Sequence, residues 1–250
     1  MNIIDLVIST ASAGLAAFGS LVTPALAIVL VTLAVRTALI PVGVSLARAN
    51  QGRAKLAPEL AALQKKWAKN PERLQRETMA LYASAKVSPF AGCLPMLAQA
   101  PVLALVYAIF ASPTIAGAPN ALLSNTLFGA PLGLHFSALF AGFTPVHLVL
   151  VGVIAVITVV AWLSRRAQQR LVAANPATAS AVSSAPGAAQ LAGLTKALSW
   201  APFITVIAAC FVPLAAALYL AVSTTWSYVE RRILAARFPA GPAAAALPAV

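Results

Sequence analysis

The chain has 250 residues, of which 61% are hydrophobic and only 9% are charged. Soluble domains carry about 25% charged residues, so this chain lacks the charge to cover a soluble globule, and its composition favours a membrane protein. The formal net charge is +12, and the positions of the 17 Lys and Arg residues carry information about orientation.

The order of apolar and polar segments predicts an all-α membrane protein with five transmembrane (TM) helices, each of which needs about 20 residues to cross a bilayer. In chain order we predict an outer N-terminal segment (1–20), TM1 (21–47), a cytoplasmic helical hairpin (48–88), TM2 (89–110), an outer membrane-surface segment (111–145), TM3 (146–163), a cytoplasmic linker (164–197), TM4 (198–211), TM5 (212–230) and a cytoplasmic tail (231–250). Pro213 separates TM4 from TM5, because proline breaks the hydrogen-bond ladder of a helix.

Basic residues predict the orientation of these segments. Nine Lys or Arg fall in 48–88, four in 164–197 and three in 231–250, whereas 1–20 and 111–145 contain none. By the positive-inside rule, the N-terminus lies outside and the C-terminus in the cytoplasm. We expect the protein in the cell (plasma) membrane as a multi-pass protein.

The basic segment 48–88 has apolar residues at helical spacing on both sides of the sequence KNPE. They are Leu56, Leu60, Leu63 and Trp67 before it, and Leu74, Thr78, Leu81 and Ala85 after it. This pattern predicts a helical hairpin with two amphipathic arms. Charge alone favours a solvated loop that enforces topology, and a binding role is the alternative. No aromatic platform or phosphate loop accompanies the charges, so no direct nucleic-acid role is expected.

Residues that carry catalysis are scarce in this sequence. None of the five acidic residues lies in the interior of a predicted span, since Glu230 is the last residue of TM5, and His135 and His147 have no carboxylate or thiol close in sequence. Cys93 and Cys210 lie in apolar runs, which is typical of small apolar core residues. We therefore expect no enzyme activity, no metal site and no cofactor.

Arg36 lies in an apolar run, far from any acidic residue. Its guanidinium cannot be neutralised at workable pH, and insertion scales assign roughly +2.5 to +3.5 kcal/mol to an arginine at a helix centre. Snorkelling to the cytoplasmic surface is one interpretation, if the helix ends near Pro41. The other is a water-lined electropositive site that attracts an anion from outside the protein, such as a carboxylate on a passing polypeptide.

The stretch AVRTALIPVGV, followed by LAPELAALQKKWAKNPERLQRETMALYASAKVSPFAGCLPMLAQAPVLALVYAIF, resembles the YidC family of membrane protein insertases in the order of its motifs. The later stretch FVPLAAALYLAVSTTWSYVERR is similar to the last hairpin of that family. The resemblance is dense over 21–110, moderate over 198–232 and weak over 111–197. It implies a short form of the family, without a large outer domain.

The resemblance implies five core helices around a hydrophilic groove, with a cytoplasmic hairpin that receives substrates. The groove residues it implies are Arg36, Gln99, Thr158, Tyr219 and Thr224, and the hairpin residues it implies are Lys65, Lys66, Trp67, Arg73 and Arg76. Leu220 replaces an aromatic residue of the family pattern, and the region 223–225 replaces an asparagine, which lowers the expected polarity of the groove.

The function implied is that of a membrane protein insertase and chaperone, which draws nascent membrane proteins into the groove and releases their apolar segments into the lipid. Its partners would be nascent membrane proteins and membrane lipid, with the secretion translocon, the signal recognition particle receptor and the ribosome as further candidates. No cofactor is implied. The alternatives are a non-inserting assembly factor with the same fold and, disfavoured by the scarcity of intramembrane polar groups, a small-molecule channel or transporter.

Overall fold

The computed structural model describes residues 9–14, 17, 19, 21–85, 104–110, 112–115, 117–120, 122–174 and 199–238. The described residues are mostly helical. The helices are α1 (Pro24–Ala38), α2 (Ile40–Lys66), α3 (Pro71–Ser84), α4 (His147–Ala174), α5 (Ala201–Phe211) and α6 (Leu214–Arg237), with further helical residues at 9–14 and 104–110. Most of the predicted TM2 and linker, and the end of the tail, lie outside the described residues.

One described helix is long and apolar enough to cross a membrane by itself, the His147–Arg170 part of α4. Helix α1 and the first part of α2, Ile40–Leu56, meet the same criterion only when they are counted together as one span. Helix α5 is apolar but has only 11 residues. The mostly helical architecture of a membrane protein agrees with the sequence, while the number of five spans and their orientation stay predictions.

The segment predicted as the single helix TM1 is divided at Leu39. Helix α1 starts after Thr23, whose side-chain oxygen accepts a hydrogen bond from the backbone N–H of Leu26 at 3.4 Å, and it ends at Ala38. Pro41 has no N–H to donate to the carbonyl four residues earlier, and its ring crowds that carbonyl. Near the start of a helix both properties are harmless, which explains why α2 begins at Ile40.

The segment 111–145, predicted to be the outer segment and given that name below, contains short strands that were not predicted from the sequence. Strands β1 (Thr114–Ile115) and β2 (Ala118–Pro119) form one antiparallel hairpin, and β3 (Thr126–Leu127) and β4 (Ala130–Pro131) form another. A 3₁₀ helix, Phe136–Ala141, follows. Two-residue strands show no alternating pattern, so sequence periodicity cannot reveal them.

The described residues divide into two units by their internal contacts. The first contains α1, residues 104–110, the four strands, the 3₁₀ helix, α4 up to Trp162, α5 from Phe203 and α6 up to Ser227. Most of its buried hydrophobic residues belong to two clusters. The α1–α6 cluster contains Ala25, Ile28, Ile109, Phe110, Leu122, Leu132, Ala215 and Tyr219. The α4–α6 cluster contains Ala130, Leu150, Ile157, Ala209, Leu214, Ala217 and Ala221.

Two backbone hydrogen bonds connect the outer segment to the start of α6. The N–H of Leu214 donates to the carbonyl of Leu134 at 2.8 Å, and the N–H of Ala215 donates to the carbonyl of Leu132 at 2.9 Å. The first N–H groups of a helix have no partner within the helix. Here loop carbonyls satisfy two of them, directly after the break at Pro213.

The second unit contains α2, α3, α4 from Leu163, residues up to Pro202 and α6 from Tyr228. Helices α2 and α3 form a hairpin whose turn, Trp67–Asn70, coincides with the KNPE break. Asn70 caps α3, because its side-chain oxygen accepts from the backbone N–H of Arg73 at 3.0 Å. At the start of α2, a Cβ added to Gly43 would overlap the carboxylate of Glu230 on α6, so the Glu230 side chain lies directly against Gly43.

Candidate functional site

Arg36 lies in the last turn of α1, on the side of that helix that faces the protein. The buried residues Ile28 and Thr32 precede it by eight and four positions, which places all three on one face. The side chain is half-buried, and its Nη2 donates a hydrogen bond to Oγ of Ser223 on α6. Only 3% of the surface of Ser223 is exposed. The guanidinium is therefore directed at a buried hydroxyl group on another helix.

Ser223 continues the buried face of α6 toward Arg36. Ala215 and Tyr219 precede it at four-residue spacing, and both belong to the α1–α6 cluster. The contact between Arg36 and Ser223 thus extends an apolar interface that Ile28 of α1 also joins. Cross-helix contacts of this kind orient an arginine, because they hold one of its five donors in a fixed direction.

The other predicted groove residues differ in their surroundings. Tyr219 is 3% exposed and packs in the α1–α6 cluster. Thr158 of α4 and Thr224 of α6 are half-buried, and each hydroxyl donates to a carbonyl of its own helix, that of Ile154 at 2.8 Å and that of Leu220 at 2.7 Å. Gln99 lies outside the described residues.

Sequence reasoning pointed to the region 223–225 but selected Thr224 instead of Ser223. The two side chains point about 100° apart around a helix with 3.6 residues per turn, and it is Ser223 that contacts Arg36 of α1. The apolar spacing of Ala215 and Tyr219 is the signal that would have selected Ser223. It becomes usable only when α6 is known to pack its 215–219 face in the same cluster as α1.

The predicted hairpin residues lie at and near the α2–α3 turn. The Nζ of Lys66 lies 5.4 Å, and the Cζ of Arg73 lies 4.0 Å, from the ring centroid of Trp67, so two cations contact one indole. Arg73 also forms an ion pair with Glu77 at 3.9 Å. Lys65 and Arg76 are exposed on α2 and α3. The basic residues of this turn are thus partly organised around Trp67.

An open cleft of about 500 Å³ lies between the two arms of the hairpin. Its walls combine apolar side chains with charges of both signs. They are Glu59, Ala62, Leu63 and Lys66 of α2, and Glu77, Ala80, Leu81 and Ser84 of α3. Such a surface can contact an apolar segment and a basic residue that flanks it.

No cluster of three His, Cys, Asp or Glu side chains that could hold a metal ion occurs within the described ranges. The described Cys210 is a free thiol, and its Sγ lies 3.5 Å from the carbonyl of Val206 on the same helix. The described site therefore consists of hydrogen-bonding and cationic groups.

An apolar span in α4, an arginine bonded to a second apolar helix and a basic helical hairpin together are the features of an integral membrane protein. A model of the family described as 60Kd inner membrane protein matches residues 17–240. The chain belongs to this family, which is the YidC family. The predicted family and the predicted location in the cell membrane are confirmed.

Several curated relatives match part of the chain. It is 44% identical over 87 residues to Membrane protein insertase YidC of Clostridium perfringens, covering 35% of this chain and 37% of that protein. It is 37% identical over 127 residues to Membrane protein insertase YidC of Chlamydia caviae, covering 46% and 16%. It is 42% identical over 76 residues to Inner membrane protein PPF-1, chloroplastic, of Pisum sativum, covering 30% and 17%. The matched part spans well under two thirds of each relative.

Proposed function

We propose that the protein is a membrane protein insertase and chaperone. It accepts a nascent membrane protein, holds the polar end of that substrate near Arg36 and releases the apolar segment into the lipid. Burial of the apolar segment, worth roughly 25 cal/mol per Å², drives the step without a nucleotide. The observation that carries the proposal is the fixed guanidinium of Arg36 between two apolar helices of a YidC family member.

The geometry of Arg36 favours substrate attraction over snorkelling. A snorkelling side chain extends toward water and needs no protein partner, whereas Arg36 donates to the buried Ser223. In a low-dielectric region a fixed positive charge attracts a carboxylate far more strongly than it would in water. The free-energy cost of moving the acidic or polar end of a substrate into the inner half of the membrane would therefore be lower.

The α2–α3 hairpin supports a further part of the proposal, which is that the substrate is captured at the hairpin before it reaches Arg36. The α2–α3 cleft offers Leu63 and Leu81 to an apolar segment, and Glu59 and Glu77 to a basic residue beside it. Membrane segments carry such basic flanks on the cytoplasmic side. The secretion translocon, the signal recognition particle receptor and the ribosome are the proposed further partners.

A non-inserting assembly factor is the second candidate, and particular contacts favour it. Tyr219 is buried in the core, and the hydroxyls of Thr158 and Thr224 are already bonded to their own helices. A groove with few free polar groups would hold little water. This candidate predicts that the protein stabilises assembled partners but does not move a polar segment across a bilayer.

The two candidates are separated by insertion into liposomes that contain the purified protein. The substrate is a single-span protein with an acidic translocated tail, compared with the same protein carrying a neutral tail. The variants are Arg36→Ala, Arg36→Lys and Ser223→Ala, with Arg237→Ala as a matched loss of an exposed charge.

We expect Arg36→Ala to lower insertion of the acidic substrate about tenfold, which corresponds to about 1.4 kcal/mol, while Arg36→Lys keeps most of it. Ser223→Ala should give an intermediate loss, and Arg237→Ala should match the wild type. Equal insertion by all variants would remove Arg36 from the mechanism. Failure of the folded wild-type protein beside a working control insertase would favour the assembly factor.

A further inference from the structure

A stacked pair of side chains lies at one end of the apolar helix α4, within the second unit. The Cζ of Arg165 is 3.8 Å from the ring centroid of Trp200, well inside the range of a cation–π contact. Trp200 stands directly before α5 and is 48% exposed, and Arg165 is half-buried. The proposed insertase mechanism uses neither residue.

The position of Arg165 along α4 corresponds to a membrane boundary. It follows His147, the first residue of the helix, by eighteen positions, or about 27 Å at 1.5 Å per residue. The hydrocarbon core of a bilayer is about 30 Å thick, and residues 148–164 carry no charge. Tryptophan and arginine are both enriched at this level of a membrane. Arg166 and Arg170 follow on the same helix and are exposed.

The chemistry of the stacked guanidinium points to an anion. The indole occupies one face of the group, while all five N–H donors lie in its plane along the edges. The Nε of Arg165 is buried and has no hydrogen-bond partner among the described atoms. The guanidinium thus keeps at least one donor that the described protein does not satisfy. An anionic oxygen ligand beside the guanidinium would balance its charge.

We propose that Arg165 and Trp200 form a binding site for the phosphate group of an anionic phospholipid. Phosphate oxygens match the two parallel donors of a planar guanidinium edge, and the contact with Trp200 restrains the orientation of that edge. Arg166, the next residue on α4, adds positive potential, which favours an anionic headgroup over one that carries a choline ammonium. The proposed lipid site does not depend on the proposed insertase activity.

The test is native mass spectrometry of the full-length protein in neutral detergent during titration with phosphatidylglycerol. Phosphatidylcholine and glycerol phosphate serve as the zwitterionic and the chain-free probes. The variants are Arg165→Gln, Arg165→Lys and Trp200→Leu, which keeps every charge. Arg170→Gln is the matched control, because it removes an exposed arginine from the same helix. Circular dichroism reports the helix content of each variant.

We expect Arg165→Gln to weaken binding of the first phosphatidylglycerol about tenfold and Trp200→Leu to weaken it several-fold. Arg165→Lys should recover only part of the loss, and Arg170→Gln should stay within about twofold of the wild type. An equal loss in Arg165→Gln and Arg170→Gln would overturn the site in favour of diffuse charge. Equal binding of phosphatidylcholine, or displacement of the lipid by glycerol phosphate at equal concentration, would overturn the assignment to an anionic lipid.

Discussion

A substitution at Tyr219 tests whether this residue belongs to the core of the protein or lines the predicted groove. The resemblance to the YidC family implied that it lines the groove, whereas the structure buries 97% of it among apolar side chains of α1, α6 and the outer segment. Replacing a fully buried aromatic residue with alanine leaves a cavity and costs about 3–5 kcal/mol. We therefore expect Tyr219→Ala to lower the free energy of unfolding by that amount, or the Tm by on the order of 10 °C for a chain of this size.

Thermal unfolding in a fixed detergent, followed by tryptophan fluorescence, measures this loss. Thr224→Ala is the control on the same helix, because the described bonds of its hydroxyl go to carbonyls of α6, that of Leu220 at 2.7 Å and that of Ala221 at 3.2 Å. We expect this variant to change the free energy of unfolding by no more than about 0.5 kcal/mol. Insertion per folded molecule should be retained by Tyr219→Ala at a temperature where it stays folded. An unchanged Tm together with a loss of insertion would refute the core assignment and return Tyr219 to the groove.

Two further substitutions test close contacts and backbone strain. Gly152→Ala, with open space at its Cβ, should raise the free energy of unfolding by up to about 1 kcal/mol, the helix-propensity advantage of alanine over glycine. Gly43→Ala should gain less, because its new Cβ overlaps the Glu230 carboxylate, which must move aside. A Glu230→Ala background should restore the gain at Gly43, and equal stabilisation by both alanines with Glu230 in place would contradict the contact. Phe128 is 89% exposed with φ 48° in a two-residue turn, where asparagine is preferred, so Phe128→Asn should raise the free energy of unfolding by about 1 kcal/mol in chemical denaturation. Phe140→Asn, exposed but without positive φ, should give no gain, and a loss in Phe128→Asn would show that the aromatic ring itself stabilises the fold.

Features with a local chemical cause could be read from the sequence. The turn of the α2–α3 hairpin lies at KNPE because Asn70 is a good N-cap and Pro71 is suited to the first position of a helix. The break between α5 and α6 lies at Pro213 for the same backbone reason that proline ends a helix. Both signals act within four residues, so no knowledge of the tertiary structure is needed.

Features that depend on distant residues could not be read in the same way. Arg36 could be recognised because a charge in an apolar run is conspicuous, but its partner Ser223 lies 187 residues away. No local pattern distinguishes Ser223 from Thr224 or Thr225, since all three hydroxyls are compatible with an apolar helix. Ser223 contacts Arg36 because the face of α6 that carries Ala215 and Tyr219 packs in the same cluster as α1. That packing involves residues far apart in the sequence.

The structure of the outer segment also depends on residues that are distant in the sequence, because it contacts the start of α6. Read by composition, 111–145 is an uncharged stretch that lies along the membrane surface. In the structure the carbonyls of Leu132 and Leu134 accept from the first N–H groups of α6, and Leu132 is fully buried. A helix start without water needs such acceptors, because an unpaired buried N–H costs more than a hydrogen bond contributes.

That arrangement has a direct bearing on the proposed function. The described α5 has only 11 residues, and α6 begins three residues after it ends, so their junction at Pro213 would lie in apolar surroundings if both helices belong to the membrane. The backbone bonds to Leu132 and Leu134 supply the junction with acceptors that would otherwise have to be water. Under the proposed mechanism, an insertase needs a positive charge near the substrate but must not form a continuous aqueous path. The guanidinium of Arg36 supplies the charge, and the bonds from the N–H groups of the junction to protein carbonyls remove one need for water there.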